Sequence, residues 1–133
     1  MIFSSHNCRV SATVIALLLA ACRQPVEHVP ALALPDTLYT LGGPIPVTLV
    51  DSLSAPDSTV YVIGRYSFRD RVIYIRRGVT SPLQRQRVLW HEWCHSVLLD
   101  SGLHNHVPPE LQELMCDAFA GARVADLLHR PNP

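Results

Sequence analysis

The sequence predicts an α+β fold: a small antiparallel sheet packed on two helices. Three observations carry that prediction. Runs rich in Val, Ile and Tyr fill most of residues 38–78, the apolar period changes from strand-like to helix-like near residue 80, and two long helical segments joined by a short loop complete the chain. Strands first and helices afterwards is the pattern of segregated layers.

Before those runs comes a leader. Arg9 precedes an uncharged stretch from Val10 to Ala21, including "TVIALLLAAC". This is too short for a bilayer span, which takes about 20 apolar residues, but it suits the core of a secretory signal. It ends "LAAC" (Leu19 to Cys22), which resembles the lipobox of bacterial lipoproteins. That resemblance makes 1–21 a signal peptide and Cys22 a lipidated N-terminus in the bacterial cell envelope, facing the periplasm or exterior. More than one acyl chain on Cys22 would give stable anchoring. Residues 22–37 hold three prolines and no periodicity, so they read as an extended tether. The domain then occupies 38–133, enough for a small core.

"LYTLGGPIPVTLVDS" is β-leaning, with a Gly-Gly-Pro interruption at 42–44. "STVYVIGRYSF" and "DRVIYIRRG" flank a short polar joint, Ser67 to Asp70, as an antiparallel hairpin does. "TSPLQRQRVLWHEWCHSVLLDSG" has Thr80 or Ser81 to cap a helix, Pro82 at its first position and Gly102 past its end. After the loop "SGLHNHVPP", Pro109 and Glu110 open a second helix rich in Leu and Ala.

The first helix contains "HEWCH". His91 and His95 lie one turn apart on one face, where both can close on a single ion. Glu92 sits roughly 100° round the helix, placed to take a proton from water beside the ion without ligating it. With seven His and four Glu in the chain, independent placement yields about 0.01 such matches. A catalytic zinc site needs a third protein ligand and an open position. A metzincin continuation requires Gly at 98 and His at 101, where this chain has Leu98 and Ser101. The P-C-x-x-C of the zinc deaminases is absent as well. The second helix offers Glu113 with Asp117 one turn on, the arrangement of gluzincins. Glu113 then completes a His₂Glu set for Zn²⁺, and Asp117 accepts the free N–H of a ligand histidine.

"GRYSFRDRVIYIRRGVTSPLQRQRVLWHEWCHSVLL" and "ELMCDAFAGARVADLL" together resemble the ImmA/IrrE family of small gluzincins. The matching points are Gly64 and Tyr66, Ile73 and Ile75, Arg85 or Arg87, His91 to His95, and Glu113, Cys116, Asp117, Phe119 and Ala120. The resemblance spans about residues 60–128. It implies a minimal zincin fold, zinc ligation by His91, His95 and Glu113, and Glu92 as the base. Family members usually carry Gly before the second histidine and Ala three residues after the Glu; this chain has Cys94 and Cys116 there. Those small residues imply a close helix crossing, which leaves three readings of the cysteines: a disulfide pinning the helices, buried free thiols, or extra zinc ligands. Many family members are cytosolic and act on transcriptional regulators, a role that a lipoprotein does not share.

Other signals are weaker. Eleven arginines balance eleven acidic residues, with no lysine, so no net charge favours nucleic acid. Seven of the arginines lie between 65 and 87, either on solvated faces or towards an acidic partner. His104 and His106 lie between the ligand helices and are candidate transition-state stabilisers or surface residues. Trp90 and Trp93 read as core, and "RVIYI" as an edge for substrate pairing. The function expected is hydrolysis of a peptide or protein substrate by a lipid-anchored zinc peptidase. The alternatives are a zinc-holding envelope lipoprotein without turnover, and a cytosolic regulator protease if the leader is no signal.

Overall fold

A computed structural model describes residues 32–54 and 62–129. The leader, Cys22 and residues 22–31 of the tether lie outside them. Four strands precede the helices: β1 (Thr37–Thr40), β2 (Gly43–Val50), β3 (Gly64–Ser67) and β4 (Val72–Arg76). Helix α1 (Pro82–Asp100) follows, then a 3₁₀ turn (Leu103–Asn105) and α2 (Pro109–His129). The α+β arrangement is thus present, as a four-stranded sheet against two helices.

The sheet is mixed, not antiparallel throughout. Its order is β1-β2-β4-β3; β1 pairs β2 and β3 pairs β4 antiparallel, while β2 and β4 run parallel. The strand "RVIYI" is therefore central, not an edge. The reason is burial: Ile73 and Ile75 of β4 are wholly inaccessible, so the most apolar strand takes the position with a neighbour on each side. Its hairpin partner β3 occupies one side and becomes the edge. The Gly-Gly interruption is itself a hairpin, with Thr40 paired to Gly43 across Leu41 and Gly42. Gly43 has φ +108, which a side chain would strain.

Ile45, Tyr66, Ile73, Ile75, Val88 and Leu89 form the core between the sheet and α1. Leu34 packs against it, and the Gln86 amide donates to the Ala33 carbonyl at 3.1 Å, so the last residues of the expected tether lie on the domain. α1 begins where its cap dictates: the Ser81 side chain accepts from Gln84 N at 3.3 Å and Pro82 fills the first position.

The C-terminal end of α1 is tied to both hairpins. Arg71, in the β3–β4 turn, forks onto the Asp100 carboxylate at 2.8 and 3.1 Å. Thr40 also donates to Asp100, and the Gly42 amide donates at 3.1 Å. The Arg71 guanidinium, chiefly, holds the Asp100 carboxyl down at about 2. A depressed carboxyl pKa contributes stability that is complete above the unfolded value of roughly 4 and disappears as pH falls towards 2. We expect Asp100→Asn to cost about 1–2 kcal/mol at pH 7. Thermal unfolding of both proteins checks this: the gap in Tm should be clear at neutral pH and nearly closed at pH 2.

Candidate metal centre

α1 and α2 cross with Cys94 and Cys116 between them. The two sulfurs are bonded, and the Cα atoms are 5.3 Å apart. The aromatic rings of Trp90, Trp93 and Phe119 fill the helix interface beside the bond, with the Arg123 guanidinium 4.4 Å from the centre of the Trp90 ring. Both tryptophans are half-buried there, in contact with α2.

This crossing brings Glu113 onto the histidine pair. His91 Nε2 and His95 Nε2 are 3.1 Å apart. Glu113 reaches both, with Oε2 3.2 Å from His91 and Oε1 3.3 Å from His95. One donor atom from each residue fits within a span of 4.8 Å. Two donors each 2.0–2.1 Å from a tetrahedral zinc lie about 3.3 Å apart, so the observed separations fit one such ion, and the two-nitrogen, one-carboxylate donor set suits zinc. Burial holds the His95 imidazole below the usual histidine range, against the opposing pull of the Glu113 carboxylate. That favours the neutral ring a metal requires.

Asp117 stands behind the site. Its Oδ1 lies 3.1 Å from His91 Nδ1 and 4.0 Å from the Arg87 guanidinium. A proton on Nδ1, donated to Asp117, leaves Nε2 as the lone-pair nitrogen facing Glu113 and His95.

The Glu92 carboxylate lies between the histidine pair and the sheet, lining the same groove as His91, His95 and Glu113. The backbone N–H of Tyr66 in β3 donates to Glu92 Oε2 at 2.8 Å. Burial pushes the Glu92 carboxyl up, while His91 and that N–H draw it down and Glu113 adds to the rise. The strand comes this close because residue 64 is glycine: a Cβ there would collide with Val88 Cγ1 and sit 3.3 Å from Glu92 Oε1. Sequence reasoning singled out Glu92 but not its amide partner, since a main-chain donor has no residue type. The G-x-Y pattern at 64–66 was its only trace.

Two grooves meet at Glu92, sharing Val62, Gly64 and His91. One, of about 440 Å³, extends past Val88 to Gln84, Arg87 and Asp117. The other, of about 580 Å³, runs between Phe68 on one wall and His104, Pro109 and Glu113 on the other. His104 thus lines the cleft beside His95, held there because the buried Gln112 amide donates to the carbonyls of His104 and Val107 at 2.9 and 2.7 Å. His106 is exposed at the end of the 3₁₀ turn and lines neither groove. Among the described residues, no helix is long and apolar enough to cross a membrane.

Fold and site together define an α+β protein whose two helices converge a His-His-Glu triad able to hold a metal ion. No family model, no curated protein and no solved structure matches the chain.

Proposed function

We propose that this protein is a zinc-dependent peptidase of the gluzincin type, similar to the ImmA/IrrE family and held at the bacterial cell envelope by a lipid on Cys22. The observation that carries the reading is the convergence of His91, His95 and Glu113 with a half-buried, hydrogen-bonded Glu92 beside them. A zinc ion on the three ligands supplies Lewis acidity to a peptide carbonyl and makes water acidic, to a pKa of about 7. Glu92 does the proton work. One oxygen is fixed by the Tyr66 N–H, and the carboxylate takes a proton from the attacking water and returns it to the leaving amine.

Edge strand β3 suits an extended substrate. Arg76 N donates to the Ile63 carbonyl, so by antiparallel alternation Gly64 and Tyr66 turn their backbone groups away from β4. The Tyr66 N–H meets Glu92, and the Gly64 groups and the Tyr66 carbonyl are those offered to a peptide. A peptide laid along that edge passes Glu92 and has a groove on each side for its side chains. His104 lines the wall of the larger groove, and in this reading it donates to a developing oxyanion. The Cys94–Cys116 bond suits a compartment outside the cytoplasm.

A fluorogenic peptide library tests the proposal. Cleavage should require zinc, stop with chelator and return when zinc is restored. His95→Ala should bind no zinc by metal analysis. A protein that binds zinc with no turnover on any peptide refutes the peptidase assignment.

A further inference from the structure

Helix α2 is apolar on two opposite faces, and among the described residues only one of them is covered. Gln112, Cys116 and Ala120 are buried against α1. On the far side Leu111, Leu114, Ala118, Gly121, Ala125 and Leu128 are all exposed, Leu114 to 67%. Their spacing is 3, 4, 3, 4, 3, the repeat of a helix that packs along its whole length on another helix. Met115, also exposed, widens the stripe. Apolar surface this continuous on a soluble domain marks an interface.

The order of residues says what kind. Laid antiparallel on a second α2 about a twofold axis, the seam pairs Leu111 with the partner's Leu128, Leu114 with the partner's Ala125, and Ala118 with the partner's Gly121. Each large side chain at the Leu114 layer meets a small one, and the centre of the seam holds only Ala and Gly, where two helix backbones can approach closely. The same three pairs recur by symmetry, as an isologous contact requires. Flanking positions bring Met115 towards the partner's Ala122 and Asp117 towards the partner's Val124, so no like charges meet. A lipid surface fits less well. The acidic residues beside the seam are Glu110 and Asp117, and the helix's one described arginine, Arg123, lies over Trp90 on the other side. A membrane-binding helix carries basic residues at that border.

We propose that the protein forms an antiparallel twofold dimer through the outer face of α2. One helix from each copy makes a small interface, so the association falls in the micromolar range. The two Cys94–Cys116 bonds then lie on the outer sides of the α2 pair, and neither metal centre is covered by the seam itself.

Sedimentation velocity on the full chain, from about 5 to 500 µM, tests this. A monomer–dimer equilibrium is expected. Leu114→Glu and, separately, Ala118→Glu should weaken it about tenfold or more. Leu103→Glu, at an exposed leucine off the seam, should leave it unchanged. All the proteins share the same leader, so the differences report on α2. Because both seam positions are exposed, circular dichroism should show unaltered helix content. A protein monomeric throughout, or a dimer indifferent to both seam variants, overturns the proposal. So does a monomer whose sedimentation with anionic phospholipid vesicles is abolished by Leu114→Glu, which would assign the face to lipid.

Discussion

Glu92→Gln should lower peptide turnover by about 10²–10⁴-fold or more while the zinc content stays at one ion per chain. Glutamine has the shape of the native side chain, and its carbonyl oxygen can still accept the Tyr66 N–H that Glu92 accepts at 2.8 Å. What it cannot do is take a proton. The variant therefore separates holding the metal from using it, which removing a ligand does not. Activity should be measured against metal content on the same samples. Turnover within about tenfold of the native protein, with zinc bound, would place the base elsewhere and remove the proposed mechanism.

The second large effect is on stability. Cys94 and Cys116 are separated by 22 residues, and closing a loop of that length removes about 3 kcal/mol of chain entropy from the unfolded state. For a domain of this size, that corresponds to a fall in Tm of roughly 12–20 °C in the Cys94→Ala, Cys116→Ala protein. The same change should weaken zinc binding. Glu113 stands one turn before Cys116 on α2, whereas His91 and His95 belong to α1, so the bond fixes the third ligand against the other two. Thermal unfolding without metal and a zinc titration at fixed temperature read the two consequences separately. A variant equal to the native protein in both would mean that the aromatic packing of Trp90, Trp93 and Phe119 holds the helices without the bond.

Much of this was legible in the sequence, and the reasons differ from element to element. α1 announces its limits chemically: Ser81 as cap, Pro82 at the first position, Gly102 at φ +76 just beyond. Pro109 does the same for α2. The four-residue spacing of the histidines predicts their meeting because helix geometry is rigid. Glu113, on another helix, was legible only by its likeness to a known pattern, and the crossing of α1 and α2 brings it within 3.3 Å of both rings.

What escaped the reading is long-range or main-chain. The parallel pairing of β2 with β4 depends on which strand is most deeply buried, and local pattern carries no register between strands separated by a hairpin. Arg71, Thr40 and Asp100 sit 29 and 60 positions apart, and nothing in their neighbours foretells their junction. The apolar outer face of α2 was visible as letters. The helix's inward side was expected from Glu113 and Cys116; what the structure adds is that Leu111, Leu114 and Leu128 opposite them stay exposed.

Gly64 has a consequence for how the protein can vary. It is the shim that sets the gap between an edge strand and a helix, and no side chain fits that gap without displacing Val88. Alanine there would lift β3 and lengthen the contact from Tyr66 N to Glu92, so a position bearing no functional group governs the proposed base through distance alone. On the proposed mechanism, turnover would fade at residue 64 before metal binding or the fold was lost.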